Sequence, residues 1–348
     1  MKKIIRLNLN ENSFGPGQKT IAVLQEYTKT FFRYPEFESH SLKQAIAEHY
    51  RLPTEQILLS SGSGSYSLLC LISKRLTGQN DQIIFSEHGY TSYFFHRLVG
   101  DGMPGRKYAV IPRKNYRHDL MAMANAITPD TKLIFIENPD NPAGTWINSE
   151  ELEHFLSIIP ENVIVVSDEA YYEYAHHKLG KAYPDSIALQ KKYSNLISLR
   201  TFSKAYGLAG LRVGYALLCP ELGDVLNKAR LIMSITTPAL IAACSALKDQ
   251  DHLQMTLKNN EAGMKYIENS FSELNIAYIP SAANFITFDA GENASLIFEK
   301  LMERNILISQ LKGFDLPFQF LRVTVGLAED NKTFIENLKI IMQDIEKK

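Results

Sequence analysis

The chain has 348 residues, and its 37 Lys and Arg residues against 38 Asp and Glu residues leave a formal net charge of −1. This length is about twice that of a common single domain, so we expect one large and one smaller domain, and the balanced charge argues against a protein that coats nucleic acid. The three cysteines, Cys70, Cys219 and Cys244, are odd in number and far apart, which excludes a disulfide framework and a zinc site and favours a soluble globular protein of the cytoplasm.

The middle of the chain predicts a mostly parallel sheet covered by helices, because short apolar runs alternate there with amphipathic segments. The predicted strands are Gln56–Leu59, Gln82–Ser86, Lys132–Glu137, Val163–Asp168, Asn195–Thr201 and Gly214–Leu218. The predicted helices between them are Ser65–Leu76, Tyr90–Gly100, Ser149–Ile159 and Pro220–Ala229. Ser149, which two glutamates follow, is expected to cap its helix.

The last third of the chain predicts a small α+β domain. Its apolar stretch Leu231–Leu247 is too short and too rich in hydroxyl residues to cross a membrane, so we interpret it as a loop that enters a buried helix. The predicted elements that follow are a long helix at Ala239–Leu274, strands at Ala283–Phe288, Ile306–Ser309 and Phe320–Val325, and helices at Ala294–Glu303 and Glu329–Lys347. The N-terminal residues are expected to join this part. The predicted division is a large domain over 31–239 and a small one over 1–30 and 240–348.

One segment, Leu199–Tyr215, carries most of the recognisable chemistry. Lys204 follows a predicted strand and has hydroxyl residues and glycines around it. A lysine in this setting can hold an aldehyde cofactor as a Schiff base and later move a proton. The hydroxyls of Thr201 and Ser203 and the guanidinium of Arg212 suit a phosphate group. A Ser-Lys pair alone would usually mark a surface lysine, but the whole string favours the cofactor site.

This string resembles the lysine motif of fold-type I pyridoxal-phosphate (PLP) aminotransferases, the class that includes aspartate and histidinol-phosphate aminotransferases. The run Asn138–Gly144 is similar to the family's asparagine-proline loop, so the resemblance implies that Asn141 bonds the phenolic oxygen of PLP. Asp168 would pair with the pyridinium nitrogen, and Tyr171 would bond the phenolic oxygen beside Asn141. Ala143 stands where the family usually has threonine, a change at a supporting position.

A glycine- and serine-rich turn, Ser60–Ser65, lies between a predicted strand and a predicted helix. Backbone amides at a helix N-terminus bind phosphate well. The turn resembles the phosphate-binding loop of the same family, which implies that Gly62, Ser63 and Gly64 contact the cofactor phosphate. Relatives of histidinol-phosphate aminotransferase usually have Asp-Glu where this chain has Gly64-Ser65. Tyr90 lies where the family stacks an aromatic ring on the cofactor.

Motifs near the two ends of the chain narrow the resemblance to the histidinol-phosphate branch of the family. The N-terminal Leu7–Pro16 and the later Arg33–Glu36 are similar to signatures of that branch, in which Tyr34 would reach the cofactor phosphate of a neighbouring subunit. The resemblance therefore implies a homodimer with shared active sites. Arg322 matches the arginine that clamps the substrate carboxylate, and Asn284 is expected to support that site.

The resemblance covers nearly the whole chain and implies an α/β fold: a mostly parallel seven-stranded sheet covered by helices, with a smaller α+β domain from both chain termini. The expected reaction moves an amino group from histidinol phosphate or a related amino acid to 2-oxoglutarate or a similar keto acid, without a metal, nucleic acid or membrane. Two departures, at Ser309 and at Ile235–Pro238, lie where substrate side chains are read. The alternatives are therefore a transaminase for an aromatic or other amino acid, a phosphothreonine-type decarboxylase, or a PLP-binding module without turnover.

Overall fold

We describe a computed structural model of the chain for residues 3–92, 95, 105–314, 316–317 and 319–347. The strands, in chain order, are β1 (Ile5–Arg6), β2 (Ile57–Leu59), β3 (Gln82–Ser86), β4 (Lys107–Ile111), β5 (Thr131–Glu137), β6 (Ile164–Asp168), β7 (Leu196–Thr201), β8 (Gly214–Leu217), β9 (Tyr278–Ile279), β10 (Phe285–Asp289), β11 (Ile306–Leu307), β12 (Ser309–Gln310) and β13 (Phe320–Thr324). The α-helices are α1 (Gln18–Tyr27), α2 (His40–Tyr50), α3 (Ser65–Leu76), α4 (Leu120–Asn125), α5 (Ser149–Ile158), α6 (Tyr172–Leu179), α7 (Ser186–Gln190), α8 (Pro220–Asn227), α9 (Thr237–Lys248), α10 (Gln250–Glu273), α11 (Ala294–Glu303) and α12 (Ala328–Glu346).

The large sheet has seven strands among the described residues, in the order β2-β8-β7-β6-β5-β3-β4. The strands from β7 to β4 are parallel, and β8 runs antiparallel to both of its neighbours, β2 and β7. This confirms the predicted mostly parallel sheet, and six of its strands lie within two residues of their predicted bounds. Sequence patterning missed β4, because this edge strand pairs only with β3 and is largely solvent-accessible. Its apolar signal is therefore weak.

One predicted helix cap and the extent of one predicted helix are wrong. The cap of α5 is Asn148, whose side chain accepts a hydrogen bond from Glu151 N–H while the Glu151 carboxylate accepts one from Asn148 N–H. This reciprocal capping box satisfies two otherwise free N–H groups, so the helix begins with Ser149 already inside it. The long helix predicted at Ala239–Leu274 is two helices, α9 and α10, because Asp249 between them leaves helical geometry. Most of the helix predicted at Tyr90–Gly100 lies outside the described residues.

The small sheet joins the two ends of the chain. It has the antiparallel order β12-β13-β10-β9, and next to it β1 pairs in parallel with β11. The strand β1 thus pairs with a strand from the C-terminal part of the chain. Leu7, Phe271, Phe288, Phe334 and other apolar side chains form a buried core between this sheet and its helices. The exact domain boundaries stay a prediction.

The apolar stretch after Arg230 forms a loop and then α9, as the sequence predicts. Most apolar side chains of α9 are buried, and the helix packs between α1 and α2. Among the helices that the structure describes, none combines the length and the apolar character that a bilayer span requires.

Candidate active site

A pocket opens at the edge of the large sheet where its parallel strands end. Ligands of such sheets bind outside the carboxyl ends of the strands. The side chains that line the pocket come from the loops after β2, β3, β5, β6 and β7 and from the loop before the antiparallel β8. They are Ser65, Tyr90, Glu137, Pro139, Asn141, Asp168, Ala170, Tyr171, Thr201, Ser203, Lys204 and Arg212. Eight of these are residues that the sequence singled out, and the outermost two, Tyr90 and Arg212, are 122 positions apart in the chain.

One side of the pocket, next to the strands β2, β8 and β7, has groups that suit an anion. Arg212 donates hydrogen bonds to Ser203 Oγ at 3.2 Å and to the Ser63 carbonyl at 3.2 Å, and the hydroxyls of Thr201 and Ser203 lie 3.0 Å apart. The helix α3 begins here at Ser65, and its N-terminus contributes free N–H groups and a positive dipole end. These groups together form a cradle for a phosphate.

Two glycines of this cradle cannot be replaced without strain. Gly62 and Gly64 have φ angles of 83° and 64°, values that favour glycine. A Cβ atom on Gly64 would lie 2.9 Å from the Arg212 guanidinium, and one on Gly62 would lie 2.7 Å from the Ser234 carbonyl oxygen. Gly62, Ser63 and Gly64 thus hold Arg212 and the start of α3 in place, whereas Ser65 is the residue of this turn that lines the pocket.

Lys204 lines the pocket, and its amine has a lowered pKa. Burial, together with the nearby guanidinium groups of Arg322 and Arg212, lowers its pKa to about 7. Its Nζ donates a hydrogen bond to the Leu9 carbonyl at 3.0 Å. A neutral amine is the nucleophilic form of lysine, so this environment prepares Lys204 to attack a carbonyl compound.

Asp168 and Glu137 place two carboxyl groups side by side at the ends of the neighbouring strands β6 and β5, where the two residues are paired in register. Burial and the Glu137 charge raise the pKa of Asp168 to about 7, and its Oδ1 accepts a hydrogen bond from Ala170 N–H. A cation next to Asp168 would restore the carboxylate. The carboxyl group of Asp168 is therefore suited to hold a protonated ring nitrogen.

A buried ion-pair network behind the pocket was missed by sequence reasoning. The Arg113 guanidinium lies 3.1 Å from Glu137 Oε2 and 2.6 Å from Asp140 Oδ2. The other oxygen of Glu137 accepts a hydrogen bond from Thr91 N–H at 2.6 Å. Glu137 therefore fixes the segment that carries Tyr90, whose N–H in turn donates to the Asn141 carbonyl. An acid at the end of a buried apolar strand was the available signal.

The same network explains a cluster of metal-ligand side chains. One potential ligand atom from each of His118, Glu137 and Asp140 lies within 4.8 Å of the others. However, Arg113 already pairs with both carboxylates, and burial together with the Arg113 charge lowers the pKa of His118 to about 3, so this imidazole is neutral. The cluster is thus an ion-pair network that fixes two walls of the pocket.

We expect Arg113→Met to destabilise the protein by about 3–5 kcal/mol, because it leaves the buried carboxylates of Glu137 and Asp140 without their counter-charge. Urea denaturation measures this change. Arg117→Met is the matched control, since the pair of Arg117 with Glu151 is exposed and should contribute less than about 1 kcal/mol. Equal costs for the two substitutions would contradict the role of Arg113.

Arg322 reaches the pocket from the small sheet. On β13, it donates a hydrogen bond to the side-chain oxygen of Asn141 and another to the Asn8 carbonyl at 3.2 Å. Ser309, its neighbour on β12, lies 3.4 Å away and donates to the same Asn8 carbonyl. The guanidinium predicted to clamp a carboxylate therefore lies directly beside the predicted cofactor-binding asparagine.

The N-terminal segment, which we define as Leu7–Asn10, is hydrogen-bonded to residues of the site, a contact that the sequence did not predict. Three successive carbonyls of this segment, those of residues 8, 9 and 10, accept hydrogen bonds from Arg322, Lys204 and Asn284 respectively. Asn284 is thus placed at the N-terminal segment and does not line the pocket itself. Its carboxamide supports the site by fixing this segment.

Tyr34 also lies outside the lining of this pocket. Its side chain is 88% exposed on the surface, among other exposed aromatic residues such as Phe32 and Phe37. The contact of Tyr34 with the cofactor of a neighbouring subunit stays a prediction.

Comparison with known proteins decides the family. The family described as aminotransferase class I and II matches residues 2–338. The chain belongs to this family. Histidinol-phosphate aminotransferase 2 of Pseudomonas fluorescens (strain Pf0-1) is 40% identical to it, and the match covers 97% of this chain and 89% of the relative.

Solved structures of aminotransferases share the architecture. Histidinol-phosphate aminotransferase from Sinorhizobium meliloti in complex with pyridoxal-5′-phosphate superposes with a TM-score of 0.86 and 28% identity, over 99% of this chain and 92% of that one. L-threonine-O-3-phosphate decarboxylase from Porphyromonas gingivalis has the same fold, with a TM-score of 0.82 and 18% identity over 98% and 100% of the two chains. These matches confirm the fold class and the family that the lysine motif indicates, and the chain is an aminotransferase.

Proposed function

We propose that this aminotransferase binds PLP and transfers the amino group of histidinol phosphate to 2-oxoglutarate or a similar keto acid. The observation that carries the proposal is the convergence of Lys204, Asp168 and Arg212 on one pocket. The similarity to curated histidinol-phosphate aminotransferases supports the choice of amino donor.

The polar groups of the pocket are chemically complementary to those of PLP, and they follow one another along the sheet in the same order as around the PLP ring. The phosphate cradle lies under β2, β8 and β7, and Asp168 lies at the end of β6, the next strand of the sheet. Neighbouring strands are about 5 Å apart, so the two sites are separated on the scale of a substituted pyridine ring. Lys204 would take the aldehyde, whereas Asn141 and Tyr171 would bond the phenolic oxygen. Tyr90 and Ala170 offer side chains to the ring.

The proposed chemistry assigns one task to each residue. When bound, PLP supplies an electron sink for the bonds of the substrate α-carbon. Lys204 Nζ, with a pKa of about 7, takes a proton from the substrate carbon that bears the amino group and returns one at neutral pH. Asp168 keeps a ring nitrogen protonated, and Arg322 orients the carboxylate of the keto acid. Histidinol phosphate has no carboxylate, so Arg322 would serve mainly the glutamate half of the reaction.

An amino-donor screen tests the proposed substrate. Histidinol phosphate should convert the PLP of the loaded protein to pyridoxamine phosphate with a kcat/KM at least about tenfold above those of aromatic and other amino acids. Ser309, a neutral residue beside Arg322, favours the alternative of a donor without a phosphate. A clear preference for an aromatic amino acid would overturn the donor, and release of carbon dioxide from phosphothreonine would point to the decarboxylase.

We also propose that two copies of the chain form a homodimer in the cytoplasm. Exposed apolar side chains around Tyr34 support this, since large apolar patches usually mark an interface. They include Phe31, Phe32, Phe37, Leu231 and Ile232. In such a dimer Tyr34 would complete the phosphate cradle of the partner. Light scattering should give about twice the 39.4 kDa mass of one chain, and a monomer would contradict the proposal.

The lowered pKa of Lys204 predicts how cofactor loading depends on pH. A lysine with the usual pKa of about 10.4 is less than about 0.1% neutral at pH 7, whereas one with a pKa of about 7 is half neutral. The rate at which the apoprotein gains visible absorbance with PLP should therefore rise with pH and level off above about pH 8. A rate that still climbs tenfold per pH unit beyond that point, as with free N-α-acetyl-lysine, would contradict the lowered pKa.

A further inference from the structure

We propose that Asn10 is a positioning residue that holds the phenolic proton of Tyr171 as a hydrogen-bond donor toward the pocket, and that Thr324 fixes Asn10 in this role. The inference rests on the proposed function, because the acceptor of that proton is the phenolic oxygen of bound PLP. It concerns a residue that lies outside the pocket lining and comes from the N-terminal segment.

Asn10 is only 1% exposed, and its N–H, its carbonyl and both atoms of its side-chain amide make hydrogen bonds. Its N–H donates to Thr324 Oγ1 at 3.0 Å, and its Oδ1 accepts from the same hydroxyl at 3.1 Å. Its carbonyl accepts from Asn284 at 3.2 Å. Its Nδ2 donates to Tyr171 Oη at 2.8 Å. The backbone has a φ of 55°, which asparagine tolerates better than most residues.

The hydrogen bonds around Thr324 determine which way the Asn10 amide points. The Thr324 hydroxyl is buried and already accepts the N–H of Asn10, so its single proton needs an acceptor. Asn10 Oδ1 provides that acceptor. If the amide were flipped, Nδ2 would face Thr324 as a second donor, and a buried hydroxyl proton would lose its partner at a cost of about 1–3 kcal/mol. The observed orientation is therefore the stable one, and it aims Nδ2 at Tyr171.

The Tyr171 hydroxyl is then left to donate its proton to an acceptor other than Asn10. Its Oη receives the Nδ2–H of Asn10, so its own proton is left for a different acceptor. Burial raises the pKa of Tyr171 to about 12, which keeps that proton in place at neutral pH. Tyr171 lines the pocket, so the proton is available to an anionic oxygen bound there.

This arrangement makes the donor depend on a residue of the small sheet. Thr324 is on β13, and its N–H also holds the Leu7 carbonyl at 2.8 Å. Two hydrogen bonds, from Thr324 N–H to the Leu7 carbonyl and from Asn10 N–H to Thr324 Oγ1, thus tie the N-terminal segment to β13. The hydrogen bond that Tyr171 donates in the pocket of the large sheet therefore depends on the pairing of this segment with β13.

The experiment follows the visible absorbance of the PLP-loaded protein as a function of pH. The midpoint of this titration reports the pKa of the nitrogen that would join Lys204 to the cofactor. A donor to the phenolic oxygen stabilises its negative charge and so lowers this midpoint. Thr324→Val lets the Asn10 amide turn and accept the Tyr171 proton. We expect Thr324→Val to raise the midpoint by about 0.5–1 pH unit. This rise should not exceed the rise that Tyr171→Phe causes. Thr324→Ser, which keeps the hydroxyl, should have the midpoint of the wild type.

A double-variant comparison separates this role from a structural one. In a Tyr171→Phe background, Thr324→Val should cause no further shift, because no tyrosine proton remains to be redirected. Thr256→Val is the matched control: Thr256 is a buried threonine that bonds Asn12 of the same region but not Asn10. Its midpoint should equal that of the wild type. If Thr324→Val does not fold, Asn10→Asp serves instead, because it replaces the Nδ2 donor with an acceptor. The effect on Tyr171 is then the part of the midpoint shift of Asn10→Asp that disappears in the Tyr171→Phe background.

The outcomes distinguish this inference from the proposed function. An unchanged midpoint in Thr324→Val, or a shift that persists in the Tyr171→Phe background, would overturn the role of Asn10 and Thr324. A wild-type protein that gains no visible absorbance with PLP would instead overturn the proposed cofactor chemistry.

Discussion

Lys204→Ala will abolish the visible absorbance of the PLP-loaded protein and lower amino transfer by about 10³-fold or more. The substitution removes the amine that would bind the aldehyde, and with it the base that moves the substrate proton. The phosphate cradle around Arg212 is untouched, so the variant should still bind PLP without a covalent bond. Absorbance spectra after dialysis, together with single-turnover measurements, check both expectations.

Lys178→Ala is the matched control for this substitution. Lys178 also donates a hydrogen bond to a backbone carbonyl, that of Ser281 at 2.8 Å, but it lies outside the pocket. Its replacement should leave absorbance and turnover unchanged. A Lys204→Ala protein that keeps the visible band would show that a different amine holds the cofactor.

Asp168→Asn will lower amino transfer by about 10²–10³-fold while the visible absorbance of the loaded protein remains. A neutral amide cannot hold a proton on the ring nitrogen by charge, so the electron sink weakens although Lys204 is intact. The effect should be larger on kcat than on KM, since the carboxylate acts as charge develops in the transition state. Steady-state kinetics with the best donor of the screen measure it.

Asp185→Asn is the matched control, because it makes the same chemical change at a position outside the pocket. Asp185 caps α7 by accepting hydrogen bonds from the N–H groups of Ile187 and Ala188, and asparagine caps helices equally well. Its kinetics should match the wild type. Equal rates for Asp168→Asn and the wild type would remove Asp168 from the proposed mechanism.

The parts of the fold that a local pattern encodes were predictable. Buried parallel strands such as β5 and β6 read as continuous apolar runs, and the end of the second run correctly predicts Asp168 at the sheet edge. The lysine motif identified the family, because its hydroxyls, glycines and arginine occur together. The edge strand β4 escaped detection because half of its pattern is exposed.

The unpredicted parts of the site depend on contacts between distant residues. Arg113 and Glu137 are 24 positions apart, and Asn10 and Tyr171 are 161 apart. Their roles arise from tertiary packing alone, since neither spacing belongs to a helix or strand period. The N-terminal segment carried a recognisable family signature, yet that signature gave no indication that its carbonyls face Lys204 and Arg322.

The antiparallel direction of β8 has a consequence for how the site can vary. Because β8 begins at the edge where β7 ends, one short connection carries both Lys204 and Arg212. The proposed attachment point and the proposed anion-binding cation are thus spaced by a single loop. Arg322, which is proposed to orient the substrate, comes instead from β13 and bonds the N-terminal segment. Evolution can therefore remodel which substrates enter while the spacing that serves the cofactor stays constant.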